Sequence, residues 1–242
     1  MQRHREHDAV AQALRTLYRT PEPALGYDVV RRPYGVLATL GDTRRALLDA
    51  EVDVSDLAAL VDDATEVWVE DRDRVEHVAP ALASWGFEVG TATTFVALVG
   101  DVRASVPETL VLRPARDVED FARRKLTYFA DGRPPSEDEL ARERATRERE
   151  VDVADFYVVE VDGDVAAILA AYRGEDVTTY LLATDPSQRS RGVGSGALAA
   201  WVASTSARAH VINALDGGRP GELYRRLGFT DEVYWYRRFV RS

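Results

Sequence analysis

Cysteine is absent from all 242 residues. Its absence excludes disulfides, thiolate-bound metals and a cysteine nucleophile, so any thiol chemistry must arrive with a cofactor. Histidine is scarce: His4, His7, His77 and His210 stand far apart or at spacings unsuited to a metal site, so no metal is expected. No serine occupies a Gly-x-Ser-x-Gly elbow, and the paired carboxylates Asp62-Asp63 and Asp152/Asp155 read as loop and cap residues, which leaves a hydrolase without its parts. Long apolar runs are missing too. The stretch 165–171 is far short of the ~20 residues of a membrane span, and residues 1–8 lead into no long apolar core. The expectation is a cytoplasmic protein with no membrane partner. Positive charge is outnumbered, 31 basic against 41 acidic residues for a net charge of −10, so nucleic acid is repelled and cationic amines are attracted.

What is present suits an ordinary globular chain: 45% hydrophobic and 30% charged residues, with length enough for one large domain or two modest ones. Apolar spacing predicts an opening helix over 8–19, ended by Pro21 and Pro23, then strands over 27–32 and 34–40. A short helix over 55–61, a strand over 67–69, a helix over 74–85 stopped by Gly86 and a strand over 93–99 follow. Residues 100–106 have the character of a boundary, dividing a domain over 1–105 from one over 108–242. The second domain reads as a strand over 110–113, helices over 117–130 and from Ser136, and a hairpin of 156–161 and 165–172 turned by Asp162-Gly163-Asp164. It continues as a strand over 177–184, a helix over 196–207, a strand over 210–215, a helix over 220–227 closed by Gly228, and a last strand over 233–240. Glu143/Arg147 and Arg144/Glu148 lie four apart, so this charge run reads as a solvated helix face.

The most informative stretch joins two of these elements. The apolar strand ending Leu182-Ala183-Thr184 meets a turn opened by Pro186, then Arg189-Ser190-Arg191-Gly192-Val193-Gly194 and an alanine-rich helix. Amides left unpaired at a helix start converge on one spot and carry partial positive charge, which suits a phosphate or diphosphate. A P-loop would need Lys and Ser/Thr at its end, and this loop closes with Ser195-Gly196-Ala197. A dinucleotide fingerprint would need Gly-x-Gly-x-x-Gly straight after the strand; here the glycines run Gly-x-Gly-x-Gly after a proline turn.

The pattern that fits is Arg/Gln-x-x-Gly-x-Gly/Ala, met by Arg189, Gly192 and Gly194, with Pro186 three before the arginine and Leu198 four after the second glycine. At these residues the chain resembles the GNAT N-acetyltransferase superfamily. The element order βααβββαβαβ over 108–242 is the one that family uses, so the resemblance implies an α/β fold with a mixed sheet, preceded by a smaller N-terminal α/β domain. Residues 75–87 and 95–98 echo 222–229 and 233–240 as helix, Gly-Phe, strand, which reads as a reduced copy of the same fold. That half has no Arg-x-x-Gly-x-Gly loop, so packing, homodimer formation or walling a substrate cleft are the roles open to it.

The resemblance implies acetyl-CoA as co-substrate. Leu182, Ala183 and Thr184 would bond its pantetheine arm from a strand that splays from 210–215, while Arg189, Ser190, Arg191, Gly192, Val193 and Gly194 would take the diphosphate. Leu223-Tyr224-Arg225-Arg226-Leu227-Gly228-Phe229 matches the family's second motif, making Tyr224 the expected catalytic acid beside the departing sulfur. Three positions depart from the family: Gly217 and Pro220 replace an asparagine and an alanine, and Thr178 falls where some relatives carry a glutamate that serves as base. A proton from the amine must then leave through water or through Glu175, Asp176 or His210. The expected activity is N-acetylation of a primary amine of a small molecule by direct attack. A protein or peptide amine is the alternative acceptor, and a non-catalytic acyl-CoA-binding module the alternative function.

Overall fold

A computed structural model describes residues 8–10, 27–49, 51–98, 102–173, 177–207 and 209–241. Only 8–10 of the expected opening helix fall among them, and they are helical. Space divides the chain into two compact units. One joins 1–96 to 214–221 and 231–242; the other joins 97–213 to 222–230.

In the first unit, strands β1 (Asp28–Arg32), β2 (Gly35–Leu40) and β3 (Thr43–Leu48) form an antiparallel meander. A helical turn at Asp56–Ala59 and the short α1 (Leu60–Asp63) lead to β4 (Glu66–Glu70), which runs parallel to β3. Helix α2 (Arg72–Ser84) follows, and the sheet is completed by β5 (Phe87–Leu98) and β11 (Asp231–Arg241), the latter antiparallel to β4. Val75, Val78 and Leu82 fall on one face of α2 and pack with Val67, Val69, Trp235 and Phe239. Burial of that face holds a helix whose proline, Pro80, would otherwise weaken it. Strand β3 has no counterpart in the sequence reading. Its charged start, Thr43-Arg44-Arg45, conceals the apolar Ala46-Leu47-Leu48 that the sheet buries.

The second unit has the strand order β10-β9-β8-β7-β6. Strand β6 (Leu110–Pro114) is followed by α3 (Val118–Phe129), capped by the Asp117 carboxylate on the Asp120 amide at 2.6 Å, and by α4 (Glu137–Glu150). Ser136 and Glu139 form the expected reciprocal box, with bonds of 3.2 and 2.7 Å. Strands β7 (Ala154–Val161) and β8 (Asp164–Arg173) make the expected hairpin. Its two turn residues, Asp162 at φ 54° and Gly163 at φ 90°, have the twist that a two-residue connection requires. Strand β9 (Val177–Thr184), helix α5 (Val193–Ser204), strand β10 (Ala209–Leu215) and helix α6 (Arg219–Leu227) complete the order read from sequence.

Alternation along the strands supplies two apolar faces. Val159, Ala167 and Leu110 meet Val193 and Ala197 of α5. Val158, Ile168, Ala170 and Ala183 meet Phe121 and Tyr128 of α3. Helix α5 begins three residues earlier than expected, at Val193, and Gly196 lies within it. A Cβ on Gly196 would stand 2.6 Å from Pro107 Cδ and 3.0 Å from Leu110 Cδ1, so this glycine seats the helix start against β6. Overpacking of this kind costs about 1–3 kcal/mol, and the gain in helix propensity returns about 1. Gly196→Ala is therefore expected to lower the calorimetric Tm by roughly 2–4 °C; a Tm at or above that of the unaltered protein would mean that the 102–109 segment gives way.

The charge run of α4 is a solvated face only in part. Arg144 and Glu148 pair on the surface at 3.5 Å, as expected. Arg147 is instead buried, held by Glu143 at 2.8 Å, by Glu150 and by the Tyr172 hydroxyl, while Lys125 reaches Glu143 at 2.7 Å. One turn of α4 faces Lys125 of α3 and Tyr172 of β8 rather than water. Its charges are tolerated there because each has a partner of opposite sign.

Candidate active site

The site starts where two strands part. Strands β9 and β10 run parallel and in register from Val177/Ala209 to Tyr180/Ile212, and there the pairing stops. Leu181 to Thr184 continue paired to β8 alone, from Ala170/Leu181 to Ala167/Thr184. Their backbone groups on the far side are left without a ladder, which is the splay implied by the resemblance. Asn213 is the first residue of β10 beyond the paired stretch, and it is exposed.

The chain then turns sharply. The Asp185 amide bonds the Ala166 carbonyl at 2.9 Å, and the Asp185 carboxylate accepts from the Ser187 amide at 2.8 Å, closing the turn that Pro186 opens. Ser190 at φ 65° and Gly192 at φ 79° both adopt left-handed backbone. Gly192 is the N-cap of α5 and contributes no side chain to it. The first bond of the helix is Gly196 amide to Gly192 carbonyl, 2.9 Å, so the amides of Val193, Gly194 and Ser195 precede any intrahelical acceptor. Gly194 is held by proximity: a Cβ there would lie 3.2 Å from Thr184 Oγ1 and 3.4 Å from Leu182 Cδ2.

These groups open onto a cavity of about 640 Å³, a volume in the range of small-molecule and cofactor sites. Thr184, Arg189, Ser190, Gly192, Val193 and Gly194 line it, joined by Gln188 and Ser195 of the same segment. Leu223, Arg226 and Leu227 of α6 and Arg103 of the segment before β6 form the rest of the wall. Three arginines and a helix N-terminus thus line one depression with no carboxylate among its lining residues, although the whole chain carries a net charge of −10.

The remaining site residues fall elsewhere. Leu182 packs half-buried against the α5-side core and Ala183 is buried in the α3-side core, so Ala183 can offer a ligand only its backbone. Arg191 turns to Gln188 Oε1 at 2.6 Å and is not part of the cavity wall. Arg189 lines the cavity, yet its guanidinium is engaged by the Asp131 carboxylate, by the Tyr128 carbonyl at 2.6 Å and by the Thr184 carbonyl at 3.4 Å. It ties the loop to the end of α3.

Tyr224 is buried, 7% exposed, and is not among the lining residues, whereas its helical neighbours Leu223, Arg226 and Leu227 are. Its ring meets Phe229 edge-on, with centroids 6.3 Å apart. Its hydroxyl has no hydrogen-bond partner among the described residues, and burial pushes its pKa up to about 12.

Of the basic candidates, Glu175 and Asp176 lie outside the described residues. His210 is 4% exposed and faces the Tyr180 hydroxyl through Nδ1. Burial lowers the His210 pKa and raises that of Tyr180, so the imidazole is neutral at pH 7 and the tyrosine donates to it. Arg103 and Arg226 escaped the sequence reading. Arg226 could have been found from the spacing of Leu223, Arg226 and Leu227 on α6, but Arg103 sits in a stretch with no periodicity to mark it. Among the described residues no group of three or more His, Asp or Glu is placed to hold a metal ion, and no helix is long and apolar enough to cross a membrane.

Residues 152–231 match the family model described as an acetyltransferase (GNAT) domain. No curated protein matches the chain. Among solved structures, a GCN5-related N-acetyltransferase from Kribbella flavida is similar with a TM-score of 0.64 and 17% identity, covering 96% of this chain and 95% of that one. A tandem GNAT protein from the clavulanic acid biosynthesis pathway gives 0.59 and 15%, over 84% and 77%. A GCN5-related N-acetyltransferase-like protein from Streptococcus suis gives 0.53 and 13%, over 96% and 100%. Likeness at such identities is likeness of fold. Residues 152–231 thus match a GNAT acetyltransferase domain model, and over nearly its whole length the chain shares a mixed α/β fold with GNAT proteins of known structure.

Proposed function

We propose that the chain moves an acetyl group from acetyl-CoA to a primary amine of a small molecule, by direct attack within a ternary complex. The observation that carries this reading is the cavity in which the unpaired amides of Val193 to Ser195 meet arginines at the mouth of the β9–β10 splay. Acetyl-CoA, when bound, supplies the acyl thioester. The amides at the start of α5 hold its diphosphate, and the open edge of Leu182, Ala183 and Thr184 aligns its pantetheine arm by backbone hydrogen bonds. The family asparagine missing at Gly217 has no replacement among the cavity-lining residues, so the arm is held by backbone alone. Tyr224 donates a hydrogen bond to the departing sulfur. The amine loses its proton to water, since the neutral His210 is enclosed beside Tyr180. With no cysteine in the chain, no thioester on the protein intervenes. Residues 1–105 act as a reduced copy of the fold without a donor site, supporting the second half or a homodimer.

Release of free CoA thiol with a panel of amino acids, polyamines, aminoglycosides and peptides tests this function. Turnover with a small amine supports it, and turnover with peptides alone moves the acceptor to a protein amine. Binding of acetyl-CoA without thiol release from any amine leaves a non-catalytic acyl-CoA-binding module, the reading favoured by a Tyr224 that stands off the cavity wall.

The bond between Arg189 and Asp131 yields a further expected result. Removing a negative charge near the cavity should, by Coulomb attraction alone, tighten an anion. Because Asp131 holds the arginine that holds the loop, Asp131→Ala is instead expected to weaken acetyl-CoA binding severalfold in calorimetry. Tighter binding would make Arg189 a direct phosphate ligand.

A further inference from the structure

The chain has 31 basic residues, and Lys125 is the single lysine among them. Arginine serves at every other position, including the buried Arg147. The one side-chain amine therefore sits at a chosen place, in the contact of α3 with α4. Its side chain is 18% exposed, and Nζ meets Glu143 Oε1 at 2.7 Å. That oxygen is shared, because Arg147 Nε lies 2.8 Å from it, and Arg147 also pairs with Glu150. Lys125 is thus a second cation on one carboxylate. Burial lowers its pKa, and the Arg147 charge adds to this against the pull of Glu143 and Glu150. Lys125 also lines a depression of about 360 Å³ with Leu126, Phe129, Ala130 and Arg133, of which Arg133 is tied to Glu139 at 2.9 Å. An amine that is poorly hydrated, set beside another cation and open to a largely apolar hollow has the environment of a nucleophilic lysine.

Beyond the transfer of acetyl groups to other amines, we propose that Lys125 is an acylation site of this protein, which takes an acetyl group at Nζ from acetyl-CoA entering this depression. The ammonium gives one proton to water, and the neutral Nζ attacks the thioester carbonyl carbon. A C–N bond forms as the C–S bond breaks, and the departing thiolate collects the proton that the nitrogen sheds. The amide that results carries no positive charge, so Glu143 is left to Arg147 alone. An arginine at this position would hold Glu143 equally well but would not be acylated at neutral pH, because it stays protonated.

Mass spectrometry of the full chain incubated with acetyl-CoA at neutral pH tests the proposal. Peptide mapping is expected to find one acetyl group on Lys125. Uptake there should be at least about fivefold faster in the folded chain than in the same chain unfolded in urea, where the amine has its ordinary pKa. Lys125→Arg, which keeps a cation for Glu143, should remove the adduct from that peptide and confine any acetyl group to the terminal amine. Mapping of the unaltered protein decides the matter even if the variant folds poorly. No acetyl group on Lys125, or uptake no faster in the folded chain than in the unfolded one, overturns the site. Thiol release with added amines is read separately. A protein that acetylates those amines and leaves Lys125 free keeps the proposed function and loses this site. One that acetylates Lys125 and no added amine keeps the site and loses the function.

Discussion

Gly192→Asp is expected to abolish donor binding while leaving the protein folded. Gly192 sits at φ 79° and ψ 1°, and an L-residue there costs about 1–2 kcal/mol, with aspartate among the better tolerated. Space is not the obstacle, because the nearest atom to an added Cβ is Ser195 Oγ at 3.9 Å. The carboxylate would cap α5, accepting from the amides of Gly194 or Ser195 and cancelling the positive end of the helix. Those amides are the groups assigned to the diphosphate. Two anions about 4 Å apart near a protein surface repel by about 4 kcal/mol, so acetyl-CoA affinity should fall by roughly 100-fold or more in calorimetry. Gly192→Ala carries the backbone cost without the charge and should lose only a fewfold. Undiminished affinity in the aspartate variant would put the diphosphate away from the start of α5.

Tyr224→Phe should lower turnover by about 100-fold with acetyl-CoA binding nearly unchanged, the low end of a lost acid. With its pKa pushed up to about 12 by burial, the hydroxyl stays protonated throughout the working range. A thiolate with an ordinary pKa near ~8.5 is too weak a base to take that proton completely. The role of Tyr224 is therefore to donate a hydrogen bond to sulfur as charge develops on it. The pH–rate profile should accordingly show no limb below about pH 10 that the variant removes. Because the hydroxyl has no protein partner among the described residues, the variant should be about as stable as the parent. Full turnover in Tyr224→Phe would remove the tyrosine from the reaction and shift the task to water at the splay.

Local chemistry made much of this protein legible. Arg189, Gly192 and Gly194 announced the loop because a turn followed by a helix start needs small residues and an anchoring cation at fixed offsets. Ser136 with Glu139, and Asp162 with Gly163, announced a cap and a hairpin because those geometries are satisfied within four residues. Other features depend on what lies across space. Arg147 has the spacing of a surface ion pair and is buried, since only the packing of α4 on α3 and against Tyr172 of β8 decides which of its faces meets water. Helix α5 starts at Val193 in spite of its glycines, because the close fit of Gly196 on Pro107 and Leu110 outweighs their weak propensity.

The amino-acid sequence by itself determined the order of elements over 108–242, the glycine-rich turn into a helix and the absence of any cysteine chemistry, because each of these is written in contiguous residues or in composition. The tertiary structure alone decided that β9 and β10 part after Tyr180/Ile212 and that β11 joins β4 in the first unit. It also decided that Arg103, Arg189 and Arg226 line one cavity while Tyr224 is buried beside its lining residues Leu223, Arg226 and Leu227. Those are relations between residues tens of positions apart, set by which strand edges and helix faces can be satisfied together, and no short-range pattern encodes them.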